Sequence, residues 1–199
     1  MKLFYPLKGI GKIAGIYLTQ KFGQNLNNYG QFGLLGHNGL DWGAPVDTPV
    51  LAAHSGYLTQ SPEDPRGYGI HARIKWEDNG IVYETIYAHF NRHVGNERFV
   101  KAGEVIGHVG KTGFSTGYHL HLGLRRWKDG KVLDYDNGYL GYIDPAKYLI
   151  MNQTRIVKSK KSDTVYICYP VPTLQHLDER ASLEGFEIPD KIPDTDSLE

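Results

Sequence analysis

Short apolar runs that alternate with polar residues dominate residues 1–150 and predict β-strands. Residues 71–76 (HARIKW) and 81–90 (IVYETIYAHF) are rich in aromatic and β-branched side chains, and they flank Asp-Asn-Gly at 78–80. Asn-Gly between two such runs is the strongest short-range signal for a hairpin. A second hairpin is predicted at Asp-Gly 129–130, between HLHLGLRRW and KVLDY.

The pattern predicts a mainly β fold, because no long amphipathic helix is indicated before residue 150. Short strands with frequent glycine turns are typical of an antiparallel two-sheet sandwich or a barrel-like domain. Farther along, TVYICYPVP predicts one more strand. A short helix is predicted from Thr173 as the N-cap to Gly185 as the stop, with Leu174, Leu177 and Ala181 on one face. We therefore expect a small C-terminal α+β appendage.

Composition changes near Ile150 and predicts a domain boundary there. Of the 24 glycines, 23 lie in residues 1–150, which carry 16 Lys+Arg and 13 Asp+Glu; residues 151–199 carry six and nine. The net charge of zero thus combines a mildly basic region with an acidic extension. A dedicated nucleic-acid binder usually has a basic excess, so we expect no nucleic-acid partner. The role of residues 151–199 stays open, with docking to a protein partner as one reading.

Nine histidines and a single cysteine limit the chemistry of the chain. One cysteine excludes an internal disulfide and a Cys-rich zinc site. In HNGLD, His37 and Asp41 are four residues apart, and on an extended strand such residues share a face. A neutral imidazole and a carboxylate placed in this way can reach one divalent ion.

The segment 118–124 (YHLHLGL) has a clean alternation. It puts Leu120, Leu122 and Leu124 on one face and His119 and His121 on the other. We expect the leucines to be buried and the histidines to face a cleft. Hydrolytic zinc sites commonly use three protein ligands and keep a fourth position for water. The residues alone therefore predict His37, Asp41 and one histidine of the pair as ligands of one Zn²⁺ ion.

Four motifs, HNGLD, YAHF, GKTGFSTG and HLH in this order, resemble the lysostaphin/LytM-type zinc metallopeptidases that cut cell-wall peptidoglycan. The resemblance implies an antiparallel two-sheet catalytic domain at residues 1–150. It implies His37, Asp41 and His121 as zinc ligands, with His89 and His119 as the catalytic pair. The general base is left open between these two, and His119 is favoured because it shares a strand with a ligand.

The function implied by the resemblance is a zinc-dependent endopeptidase whose substrate is a peptide of peptidoglycan. The N-terminus has no apolar run longer than residues 3–7, whereas a signal peptide needs about 7–15 apolar residues and a membrane span roughly 18. We therefore expect no export signal and no membrane span. A phage-encoded enzyme, carried by a virion or released at lysis, is the corresponding hypothesis for how it reaches the wall.

Two other functions were weighed against the enzyme. A non-catalytic wall-binding or activator module of the same fold would be expected to lose ligands, whereas this chain keeps all five site residues. A phosphocarrier of a sugar-uptake system would use two histidines but would not need Asp41. Gly110–Gly117 lacks the terminal Gly-Lys-Ser/Thr of a phosphate-binding loop, so it is predicted to shape the groove.

Several further residues have competing structural explanations. Asn38, Tyr87 and Tyr118 can contact substrate, but core packing or turn formation explains them equally well. The remaining histidines match no ligand spacing and are predicted to be structural or exposed; they are His54, His71, His93, His108 and His176.

Overall fold

Strands form nearly all the regular structure of this computed structural model, which describes residues 1–9, 15–61 and 64–150 and the backbone of three later strands. The chain divides into two units, Met1–Ile150 and Met151–Glu199. The described strands of the first unit are β1 Leu3–Phe4, β2 Tyr17–Gln20, β3 Gly39–Gly43, β4 Pro49–Leu51, β5 Gly56–Ser61, β6 His71–Asp78, β7 Ile81–Ala88, β8 Phe90–His93, β9 Arg98–Val100, β10 Val105–Val109, β11 His119–Lys128, β12 Lys131–Val132 and β13 Leu149–Ile150. Its described helices are single 3₁₀ turns at Leu26–Asn28, Gly30–Phe32 and Pro145–Lys147.

Two antiparallel sheets carry the first unit. The larger has eight strands in the order β2-β3-β11-β7-β6-β5-β9, with β12 paired to β11, and the smaller has the order β4-β10-β8. This arrangement confirms the predicted mainly β, two-sheet fold, although the large sheet is open rather than a closed barrel. The short parallel pair of β1 with β13 was not predicted from the sequence.

The strands β3 and β11 of the large sheet alternate between a core face and an open face. Leu40 and Trp42 of β3 are buried in the core, as are the three leucines of β11. Apolar residues of the small sheet, among them Phe90 and Ile106, belong to the same core. Because strand neighbours point to opposite sides, Asp41, His119 and His121 are left on the open face.

Both predicted hairpins are confirmed. Asn79 and Gly80 connect β6 to β7 with φ values of 53° and 74°, and Asp129 and Gly130 connect β11 to β12 with 50° and 74°. Two successive residues with positive φ are the mark of a type I′ turn, which matches the twist of paired strands. The strand after the second turn is shorter than predicted, ending at Val132.

The predicted strand over residues 81–90 is interrupted at His89. β7 ends at Ala88 in the large sheet, and β8 begins at Phe90 in the small one. His89 joins them with a φ of 64°, and it is buried. A strand that passes from one sheet to another needs such a bend, which alternation alone does not reveal.

The second unit is described by backbone alone. β14 Arg155–Ser159, β15 Val165–Cys168 and β16 Phe186–Glu187 form an antiparallel sheet in the order β15-β14-β16. β15 lies within the strand predicted at TVYICYPVP, and the part of that segment after Cys168 lies outside the described residues. The helix predicted from Thr173 to Gly185 lies outside the described residues. Within the described part of the chain, no helix combines the length and apolarity needed to cross a membrane.

The turn at Gly80 gives a stability prediction. A side chain at Gly80 would meet nothing within 4 Å, so Gly80→Ala tests the positive φ alone. We expect the free energy of unfolding to fall by about 1 kcal/mol, since an L-residue is strained in this region. Chemical denaturation measures the change. Gly30→Ala is the matched control, because that site is equally open and lacks a positive φ; an equal loss in both variants would contradict the explanation.

Candidate metal centre and its cavity

His37, Asp41 and His121 bring one donor atom each to a common point, and all three residues are buried. His37 Nε2 lies 3.1 Å from Asp41 Oδ1 and 2.9 Å from His121 Nδ1. His121 Nδ1 lies 3.0 Å from Asp41 Oδ1. Ligands of a tetrahedral ion, each about 2.0–2.1 Å from it, are roughly 3.3 Å apart, so these atoms need to separate by only a few tenths of an ångström.

Strand pairing creates this cluster. β3 runs antiparallel to β11 with Asp41 directly opposite His121. The four-residue spacing predicts that His37 lies on the same strand as Asp41. In the structure His37 instead precedes β3. Its backbone N–H donates to the Gln24 carbonyl and its own carbonyl accepts from Gly23, which fixes it beside Asp41.

Gly39 makes room for the His121 ring. A Cβ at this position would lie 2.5 Å from His121 Cε1 and 2.5 Å from the Leu122 carbonyl oxygen. Both contacts are far shorter than van der Waals distance. The glycine inside HNGLD is therefore a packing requirement of the cluster.

The position of the hydrogen on the His37 ring indicates whether the cluster can bind a cation. Its Nδ1 is 3.1 Å from the Lys21 carbonyl oxygen, which can only accept, so Nδ1 is the N–H of the neutral ring. Nε2 then offers a lone pair to the cluster. Two acceptors, His37 Nε2 and Asp41 Oδ1, that face each other at 3.1 Å need a proton or a cation between them. The residues present thus fit a metal ion, and the carbonyl orients the ligand ring from behind.

The Asp41 carboxylate is stabilised in its charged form. Burial on its own raises the pKa of this carboxyl, but the adjacent His121 ring and, after it, the His37 ring outweigh the effect of burial. The pKa of Asp41 therefore lies well below its usual range. A permanently ionised carboxylate is the form that binds a metal.

His89 and His119 lie beside the cluster. Their ring centroids are 4.5 Å apart, and His119 Nε2 is 3.6 Å from Asp41 Oδ2. His89 Nδ1 is 2.7 Å from the Thr112 carbonyl oxygen, and His119 Nδ1 is 2.9 Å from that of Gly117. Each carbonyl accepts the Nδ1 hydrogen, which leaves Nε2 of each neutral ring as an acceptor.

His89 is held neutral as well as oriented. Burial, together with the nearby His119 and His121, lowers the pKa of its imidazole to about 3, although the Thr112 carbonyl and Asp41 oppose the shift. At neutral pH this ring is uncharged. The residue His89 also forms the corner between two β-sheets, and its backbone has a positive φ. Strained backbone conformations of this kind cluster at functional sites.

A cavity of about 470 Å³ surrounds the five predicted site residues, all of which line it. The loop Gly110–Gly117 contributes Phe114, Ser115 and Thr116 to its wall, so the prediction that this loop shapes the groove is confirmed. The same loop supplies the carbonyls that hold His89 and His119.

The lining residues that were not identified from the sequence include Tyr68, Arg73, Arg125 and Tyr142. Arg125 follows His121 by four residues on one strand, so extending the alternation past Leu124 would have placed it on the histidine face. Tyr68 comes from a turn without periodicity. Burial raises the pKa of Tyr68, Tyr142 raises it further, and the Asn38 side-chain amide donates to its hydroxyl at 2.6 Å.

The remaining candidates divide between cavity and core. Asn38 lines the cavity, whereas Tyr87 is fully buried and its hydroxyl accepts from the Ala53 N–H. His54 stacks on Trp76 at 4.1 Å between ring centroids, in agreement with a structural role. Tyr118 is half exposed.

Known proteins share this region of the chain. The model of peptidase family M23 matches residues 35–135. The DD-carboxypeptidase/endopeptidase Mpg of Neisseria meningitidis is 45% identical over 89 residues, which are 45% of this chain and 20% of that protein. Lysostaphin of Staphylococcus simulans is 36% identical over 89 residues, 43% of this chain and 17% of that protein. The chain thus covers about a fifth of the length of these relatives.

Among solved structures, the catalytic domain of the prophage-encoded M23 protein EnpA from Enterococcus faecalis is similar. The TM-score is 0.51 and the sequence identity 31%, over 67% of this chain and 95% of that one.

The contact at Gly39 predicts the outcome of one substitution. Gly39→Ala should displace the His121 ring and weaken zinc binding roughly tenfold or more, because overpacking of this kind costs about 1–3 kcal/mol. Zinc titration of the purified chain measures it. Gly30→Ala, where the added Cβ meets nothing, should bind zinc as the wild type does; unchanged affinity in Gly39→Ala would contradict the packing argument.

Proposed function

This chain belongs to peptidase family M23, and on that premise we propose that it is a zinc-dependent endopeptidase that hydrolyses amide bonds in peptidoglycan. Members of the family are hydrolases that act on peptidoglycan. One observation carries the proposal for this chain: four histidines and one aspartate from three separate segments converge in one cavity. The domain at residues 1–150 is proposed as the catalytic unit, and it contains the whole matched region.

We assign the metal to His37, Asp41 and His121. Two imidazole nitrogens and one carboxylate oxygen are an ordinary donor set for Zn²⁺, without any thiolate. When bound, zinc supplies a Lewis acid that polarises a carbonyl and acidifies water. The chain contributes the buried carboxylate and the two oriented rings, and it holds them before the ion arrives.

We assign the general base to His119. It shares β11 with His121, and its Nε2 faces the cluster as an acceptor while Nδ1 is held by Gly117. This nitrogen takes a proton from the attacking water and returns it to the leaving amine. His89, fixed by Thr112, presents a second acceptor that orients the same water. Tyr68 keeps its hydroxyl hydrogen and adds a polar group to the cavity wall.

The proposal also includes the route of delivery and the partners. A prophage encodes the similar EnpA protein, which supports a phage origin for this chain as well. In that case a virion or host lysis would bring the enzyme to the wall. Docking of a protein partner is proposed for residues 151–199.

Metal removal tests the central proposal. The wild type should reduce the turbidity of purified cell walls, a chelator should abolish the activity, and added zinc should restore it. His121→Ala should lose both bound zinc and activity, because one of three ligands is gone. His54→Gln serves as the control, because His54 is not among the described residues that line the cavity. Wall hydrolysis that survives in metal-free protein would overturn the proposal, and zinc binding without hydrolysis would indicate a wall-binding module.

The catalytic pair gives a separate prediction. His119→Ala and His89→Asn should each keep about one zinc per chain but lose roughly 10²-fold or more in hydrolysis rate, as expected when proton transfer is removed. Asparagine is chosen at His89 because it tolerates positive φ. Zinc content is measured with the rate. Loss of zinc in His119→Ala would place this residue among the ligands instead.

A further inference from the structure

Beyond the metal centre, the open face of the large sheet carries a group of three cations around one buried carboxylate, here called the Glu84 cluster. Its members are Arg73, Lys75, Glu84 and Arg125. Strand register assembles it, because Arg125 of β11 lies opposite Glu84 of β7, which lies opposite Lys75 of β6. Arg73 is two residues from Lys75 on the same face.

Glu84 binds all three cations and is itself only 3% exposed. Its Oε1 accepts from Arg73 Nη1 at 3.0 Å and from Arg125 Nη2 at 2.7 Å and Nε at 3.2 Å. Lys75 Nζ is 3.3 Å from Oε2. Burial raises the pKa of Glu84, but these partners outweigh it and keep the carboxyl ionised.

The cluster therefore has three positive charges and one negative charge. Within the described part of the chain, the ion pairs of these cations all go to Glu84. The surplus positive charge faces the metal-site cavity, because Arg73 and Arg125 line it. Lys75 is not among the described lining residues. One carboxylate cannot neutralise three partly buried cations, so this wall favours a further anion.

Aromatic rings hold the two guanidinium groups in place. Arg125 lies over the Tyr142 ring at 4.7 Å and over Trp127 at 5.2 Å, and Arg73 lies 6.0 Å from the Tyr68 ring centre. A fixed guanidinium loses little freedom when it binds. Its planar fork matches the two oxygens of a carboxylate.

We propose that Arg73 and Arg125 form a subsite for a carboxylate of the peptide substrate. The proposal rests on the proposed function and adds to it the charge of the substrate. The carboxylate it binds is a side-chain or terminal group of the peptide, separate from the amide bond that is cut.

The position of the subsite sets where the carboxylate must be. Tyr68 lies between Arg73 and the metal centre, with its ring 5.5 Å from that of His121. The Arg73 guanidinium is thus no more than about 12 Å from the His121 ring, the two ring spacings placed end to end. An extended peptide advances about 3.3 Å per residue, so the carboxylate lies within about three or four residues of the bond that is cut. Among the described residues that line the cavity, the carboxylates are Asp41, in the candidate metal centre, and the exposed Asp64.

A minimal pair of peptides tests the subsite without requiring hydrolysis. Acetyl-tetraglycine with a free C-terminal carboxylate and the same peptide as its carboxamide are titrated into the zinc-loaded full chain. Two-dimensional NMR follows the arginine Nε–H signals. The wild type should bind the acid about tenfold more tightly than the amide, because charge-assisted hydrogen bonds are lost in the amide.

Arg73→Gln should remove that preference, and Lys75→Gln should keep it. Both variants take one positive charge from Glu84, but Arg73 alone of the two lines the cavity. Neither leaves Glu84 unpaired, because two cations remain in each. Arg73→Lys, which keeps the charge and loses the fork, should retain only part of the preference.

The proposal would be overturned if the wild type bound the acid no more tightly than the amide, or if Lys75→Gln lost the preference for the acid as fully as Arg73→Gln. It would also be overturned if the preference survived Arg73→Gln but disappeared with a chelator, because the carboxylate would then bind the metal. Because binding is measured directly, the result stands whether or not cell walls are cleaved. A failure of the proposed function is therefore separable from a failure of the subsite.

Discussion

The antiparallel pairing of β3 with β11 sets Asp41 opposite His121, and the whole cavity depends on that register. A slip of one residue would turn Asp41 into the core and bring Trp42 or Leu40 to the open face. The alternating leucines of β11 prevent this, because they are fully buried on the opposite side. The hydrophobic core thus holds the donor atoms of the candidate metal centre together, although it contributes none of them.

Backbone carbonyls orient the histidine rings of the cavity. The oxygens of Lys21, Thr112 and Gly117 accept from Nδ1 of His37, His89 and His119 respectively. A carbonyl can only accept, so each contact selects one tautomer and directs the other nitrogen as a lone pair. These loops act on chemistry through their backbones. Substitutions in them change the site when they move the chain, whatever side chain they carry.

Local periodicity explains what could be predicted from the sequence. Alternation along β11 separated the histidine face from the leucine face, and Asn79-Gly80 marked a hairpin, since both signals involve only neighbouring residues. The Glu84 cluster was not predicted, because its members come from three strands and the order of strands in a sheet cannot be read from one sequence. The break at His89 was not predicted either, since histidine has no strong preference for positive φ. The family resemblance pointed to His89 where spacing could not.

The bend at His89 has a mechanical consequence. This residue is the covalent corner between the large and the small sheet, and its imidazole is also one wall of the cavity. A change in the angle between the sheets would carry this ring toward or away from His119. The alignment of the two imidazoles is therefore coupled to the stiffness of the sandwich, and the framework itself keeps the two rings in line.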